Sequence, residues 1–151
     1  STRDEKGETI AASPATVWRA PGITAPPQAL LSSLDTALTY GIYSGGALVG
    51  FFELHSRSYP ETFGGMLKWE PLMADALIPL LHPNMKKADA TLIRGRAFKD
   101  ERVAGVNARV LSDPTQVVAI AYALPDQKTL LIAGNTAALQ ALIEKLRTKT
   151  P

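Results

Sequence analysis

Twice in this chain the apolar pattern switches from a period of two to helical spacing within a few residues of a turn, and this constrains the fold more than any other feature. Leu38, Tyr40 and Ile42 alternate with Thr39, Gly41 and Tyr43. Ser44-Gly45-Gly46 then marks a turn, and Ala47 to Leu54 reads as the return strand of a hairpin. From about Pro60 to Leu81, Phe63, Met66, Leu67, Met73, Leu77, Leu80 and Leu81 recur at helical spacing. Ser58 suits its N-cap, Pro60 its first turn, and Glu61 its positive end. The same plan returns later. Val117 to Leu124 and Lys128 to Ala133 flank a Pro125-Asp126-Gln127 turn, and a helix follows to about Arg147. Leu139, Leu142, Ile143 and Leu146 form its apolar face, with Asn135 or Thr136 as cap. The two units, Thr36 to Leu81 and Val117 to Arg147, share a plan but not residue identity, so they read as a structural pseudo-repeat. The predicted class is α+β: an antiparallel sheet with helices packed on one face.

The rest of the chain fits around these units. Residues 1–9 are polar and read as a flexible or linker-like start, leaving one domain over 10–148. Ile10-Ala11-Ala12 and Thr16-Val17-Trp18-Arg19 are candidate short strands. Pro26-Pro27 suits the first turn of a helix reaching about Leu34, with Thr24 as a possible cap. Pro71 removes a backbone donor and is expected to kink or split the long helix near Trp69-Glu70; Pro79 and Pro83 help end it. Thr91-Leu92-Ile93 reads as a strand, and Val106 to Leu111 as another before the Ser112-Asp113-Pro114 turn.

Composition excludes several classes. Of 151 residues, 46% are hydrophobic and 20% charged, an ordinary globular mixture. A formal net charge of +2, with basic residues scattered along the chain, argues against nucleic-acid binding, which needs clustered cations. Without cysteine the chain has no disulfide, zinc thiolate or thiol nucleophile. No apolar run approaches the roughly 18 residues of a membrane span. Gly41, Gly45, Gly46 and Gly50 are not spaced as a dinucleotide fingerprint, and no hydrolase elbow, phosphate loop or zinc helix is present. No cofactor, metal ligand set or catalytic residue is assigned.

The remaining candidates concern contact more than chemistry. Trp69, flanked by Lys68 and Glu70, is the best candidate for a partner contact, because aromatics are enriched at interfaces, although a Trp on a helix beside Leu72 and Met73 is more often a core side chain. Arg94, Arg96, Lys99, Arg102 and Arg109 form a loose basic cluster, by default a solvated sheet edge and otherwise a site for an anionic partner. Lys68, Trp69, Glu70, Arg94, Arg96 and Arg109 are the residues singled out for partner binding. Glu53 and His55 share one strand face, so a small hydrolase using them is an alternative. His82, before Pro83, suits a helix end. Gly64-Gly65 inside a helix costs about 1 kcal/mol per glycine relative to Ala, and close packing of the helix on the sheet is the expected reason.

Phe63-Gly64-Gly65-Met66-Leu67-Lys68-Trp69-Glu70, followed by Met73 and Asp75, resembles the helix of a group of uncharacterised, membrane-anchored bacterial proteins common in candidate-phylum genomes. Phe98-Lys99-Asp100, Asn107-Ala108-Arg109-Val110-Leu111 and the stretch from Tyr122 through Asp126 to Ile132 extend the resemblance over about Pro26 to Leu146. This chain departs from the group in Pro71 and in Ala108, which stands where an acidic residue is expected. The resemblance implies no activity and no catalytic residues. It implies a single N-terminal anchor, outside this chain, tethering an extracytoplasmic domain to the bacterial membrane. The expected function is therefore a non-enzymatic binding or assembly module with a protein or envelope-polymer partner. A self-associating structural domain, forming a homo-oligomer, is the alternative.

Overall fold

A computed structural model describes residues 5–10, 26–44 and 48–149. Among these residues, seven strands form one antiparallel sheet in the order β1-β2-β3-β7-β6-β5-β4. They are β1 (Glu5–Ile10), β2 (Leu34–Tyr43), β3 (Val49–Ser56), β4 (Lys99–Val103), β5 (Val106–Ser112), β6 (Val118–Ala123) and β7 (Thr129–Ala133). Four helices accompany them: α1 (Gln28–Ser32), α2 (Tyr59–Leu81), α3 (Lys87–Ile93) and α4 (Thr136–Lys149). The α+β class and the antiparallel sheet are as the sequence predicts. Pairing of β3 with β7, from Phe51 opposite Ala133 to His55 opposite Thr129, joins the two hairpin units into one continuous sheet.

The helices divide between the two faces instead of sharing one. The reason lies in the central strands, which are apolar on both sides. Phe52, Leu54, Ile120, Tyr122, Leu130 and Ile132 face α2, where Met66, Trp69, Met73, Leu77 and Leu81 pack on them. Phe51, Ala121, Leu131 and Ala133 face the other way, onto Ala138, Leu139, Leu142 and Ile143 of α4. A strand buried on both faces needs cover on both. The hairpin-plus-helix plan does occur twice in connectivity. The rotation that would superpose the paired, antiparallel β3 and β7 lies perpendicular to the sheet and preserves its faces. Helices on opposite faces are therefore not related by it.

Other local readings change in the folded chain. Residues 87–93, read partly as a strand, are helical. Two alanines favour helix, Asp89 sits in the first turn, and the Thr91 hydroxyl donates to the Lys87 carbonyl (2.9 Å). Pro71 and Pro79 lie within one uninterrupted helical element, so Pro71 does not split α2. Ser58 occupies the N-cap position of α2 without a side-chain cap bond, whereas Asn135 caps α4 through Ala138 N–H (2.7 Å). Residues 5–9 of the linker-like stretch, with Ile10, pair with β2 as an edge strand. The candidate strand at 16–19, residues 11–12 of the other, the Thr24 cap and residues 45–46 of the first turn lie outside the described residues.

Gly65 is explained by packing, though not on the sheet. A Cβ there would stand 2.6 Å from the Leu30 Cβ of α1, so its absence lets α1 lie directly on α2. Gly64 has nothing within 4 Å of its missing Cβ. Thr62, fully buried one turn earlier, shares hydrogen bonds with the hydroxyls of Ser33 and Ser56 (2.6 Å each), which ties α1 and β3 to the start of α2.

Candidate binding groove

Glu70 emerges from α2 toward the β4 side of the sheet and meets Arg109 of β5 and Tyr122 of β6. Arg109 Nε and Nη2 donate to the two Glu70 oxygens at 2.8 and 2.7 Å, a bidentate pair. Tyr122 Oη donates to Glu70 Oε2 at 2.6 Å. Arg109 Nη1 also donates to Asp100 Oδ1 of β4 (3.1 Å). The Glu70 side chain is 11% exposed and that of Arg109 20%, whereas Asp100 is 88% exposed. Water is therefore displaced from the bidentate pair and retained at its outer end. The hydrogen bond to Glu70 keeps the Arg109 guanidinium protonated well above its ordinary range. Burial, reinforced by the bond to Glu70, raises the Tyr122 phenol above its ordinary range, so it stays a neutral donor.

Next to this clamp runs a groove of about 560 Å³. It exists because α2 packs over β3 and β6 while the β4–β5 hairpin continues past the helix. On the α2 side of that hairpin, Asp100 is paired in register with Arg109, and Arg102 with Asn107. All four line the groove. The opposite wall is the first turns of α2, where Tyr59 and Phe63 stack with centroids 5.9 Å apart and planes 5° apart. One end is closed by the β6–β7 turn with Pro125 and Gln127.

The groove's polar groups are held in place. Arg102 donates to Asn107 Oδ1 (3.1 Å) and to the Gly105 carbonyl. That donor also fixes which end of the Asn107 amide is oxygen. The β4–β5 turn has positive φ at both central residues, 52° at Ala104 and 81° at Gly105, as a type I′ turn requires. Arg147 of α4 donates to the Ala104 carbonyl, bracing the same turn from the other face. Gln127 holds φ 64° at the end of a turn in which its N–H donates to the Leu124 carbonyl (3.3 Å). Asp126 supports that turn by accepting from the backbone N–H groups of Lys128 and Thr129 (2.9 and 2.7 Å).

Among the six residues singled out for partner binding, the fold brings three together. Glu70 and Arg109 form the clamp, and with Arg96 they line a cleft of about 320 Å³ on its other side. Arg96 Nε is occupied by the Ser112 carbonyl (2.6 Å). Trp69 is fully buried in the core beneath α2 and offers no surface contact; helical geometry turns it inward with Met66 and Met73. Lys68 is exposed beside it. Arg94 stands apart, paired with Asp75 at 2.5 Å in a setting exposed on both sides. Glu53 and His55 do share one face of β3, the α4 side, with Glu53 half-buried and His55 exposed; neither lines the groove. Among the described residues, no group of three or more His, Asp or Glu could hold a metal ion, and no helix is long and apolar enough to cross a membrane.

Sequence reasoning placed Arg102 and Arg109 in one loose cluster but missed Tyr59, Phe63, Asp100, Asn107 and Gln127 as their neighbours. The available signal was charge alternation about a turn: Asp100 and Arg102 before Ala104-Gly105, Asn107 and Arg109 after it. Comparison with known protein families, curated proteins and solved structures finds no match for this chain.

Proposed function

We propose that this chain is a non-enzymatic binding or assembly module of a membrane-anchored bacterial protein, acting outside the cytoplasm, and that the groove beside the Glu70–Arg109 clamp is its ligand surface. The observation that carries this reading is preorganisation. Arg102, Asn107 and Arg109 are oriented by protein acceptors or donors before any ligand arrives, opposite a stacked aromatic pair. Groups fixed in advance lose less freedom on binding, which favours recognition. The extracytoplasmic placement and the anchor rest only on the family resemblance, which the α2 octapeptide carries most specifically.

The test is retention of material from a solubilised bacterial envelope fraction on the immobilised chain, compared with an Asn107→Ala, Gln127→Gly double variant. Both substitutions are at exposed positions. Material held by wild type and lost from a folded variant is expected. Equal retention by both, or none by wild type, overturns the groove as the binding surface.

Self-association has its own supporting observation. Leu67 and Leu72 on α2 are 39% and 45% exposed. A monomer in sedimentation equilibrium at high concentration removes that reading; a dimer dispersed by Leu72→Glu supports it.

A further inference from the structure

We infer that the groove takes a neutral saccharide, a segment of a polyhydroxylated chain. This rests on the groove being a binding surface, and it follows from three properties of its lining.

The first is charge balance. Arg109 is matched by Glu70, which takes two of its N–H groups, and by Asp100. Arg102 spends donors on Asn107 and on the Gly105 carbonyl. Taken over the groove and the clamp beside it, the two guanidinium groups stand against the two carboxylates Glu70 and Asp100, which leaves little net charge there. An Arg that reads a phosphate or carboxylate does so through its bidentate face. Here that face of Arg109 is filled by Glu70, and Arg102 has donors committed to two neutral acceptors.

The second property is the form of the polar groups. Asp100 supplies acceptors, Arg102 supplies donors, and the amides of Asn107 and Gln127 supply both. Vicinal hydroxyls, each a donor and an acceptor, pair with planar side chains of these kinds. The third is the wall of Tyr59 and Phe63. Aromatic faces carry negative potential. The C–H face of a sugar ring is weakly positive and apolar, so it complements such a face while its hydroxyls point sideways to the planar groups. A volume of about 560 Å³ falls within the ~300–1,000 Å³ of small-molecule sites.

Gln127 adds a separate sign. Its φ of 64° suits glycine, and a larger side chain is strained there. Gln116 has a similar φ of 72° away from the groove, so the strain alone assigns nothing. What Gln127 contributes is an amide at the groove end, on a turn that Asp126 already stabilises.

The experiment is a heteronuclear NMR titration of the whole chain with cellotetraose, maltotetraose and the tetramer of N-acetylglucosamine, each to about 10 mM, tenfold above a weak millimolar site. Sodium phosphate and an acidic decapeptide are run alongside. The expected result is amide shifts confined to the groove, around Arg102, Asn107 and Gln127, with at least one saccharide and with neither anion. Gln127→Gly is expected to weaken that binding about three- to tenfold, the loss of one hydrogen-bonding group, while raising the melting temperature. A purely structural role for Gln127 predicts unchanged affinity. Asn107→Ala provides a second variant, expected to weaken binding without unfolding the chain. No groove shift with any of the three saccharides overturns the saccharide assignment, as does binding of phosphate or peptide in their place. If wild type still retains envelope material that the double variant loses, the groove remains a binding surface with another ligand. If that retention also fails, both readings fall.

Discussion

Glu70 shows how one side chain can serve the fold and shape the site together. Its carboxylate neutralises Arg109 and accepts from Tyr122, fastening α2 to β5 and β6. Glu70→Gln leaves a largely buried guanidinium without its bidentate charge partner and with only the exposed Asp100, and a loss of about 2–3 kcal/mol is expected in urea unfolding. The phenol has a pH signature. Burial raises the folded-state pKa of Tyr122, so its contribution is fully present below about pH 10, the unfolded value, and is lost as pH climbs above it. Tyr122→Phe is expected to lower stability at neutral pH and to flatten the alkaline fall; an unchanged alkaline slope would refute this assignment. The glycine pair divides similarly. Gly64→Ala meets open space and is expected to stabilise by about 0.5–1 kcal/mol, whereas Gly65→Ala drives a Cβ into Leu30 and destabilises. Thermal melts of the two variants should move in opposite directions. The octapeptide that stands out in the sequence is largely absorbed by such structural roles: Gly65 under α1, Met66 and Trp69 in the core, Glu70 in the clamp.

At the scale of elements, β4 and its turn were the hardest to read. Lys99-Asp100-Glu101-Arg102 carries no apolar alternation, and its strand conformation comes from pairing with β5. Charge on an edge strand also discourages pairing with another chain, so the edge reading of the basic cluster and its place beside a groove are compatible. The turn holding this hairpin puts Ala104 where Asn or Gly is preferred. Ala104→Asn creates the Asn-Gly sequence suited to a type I′ turn and is expected to raise stability by about 0.5–1 kcal/mol, read as a shift in the denaturant midpoint. By contrast, the cap of α4 was legible, because Asn135 precedes a clear amphipathic run. Asn135→Ala is expected to cost about 1 kcal/mol through the lost bond to Ala138 N–H.

For the whole molecule, the sheet carries a separate apolar cluster on each side. Leu77→Ala under α2 and Leu142→Ala under α4 are each expected to cost about 2–5 kcal/mol. Because both clusters share β3, β6 and β7, each variant should unfold in a single transition by circular dichroism. Two separate transitions would show that the faces fold independently. The sequence by itself determined the hairpins, the long helices and the α+β class, because period and capping are local properties of neighbouring residues. Only tertiary structure decided which face each helix covers, that Trp69 lies inside, and that β3 joins β7. It also decided that Glu70, distant in sequence from Arg109 and Tyr122, meets them at one end of a groove. These outcomes depend on packing between elements far apart in the chain, where burial on both faces of a strand outweighs the preference of any single segment.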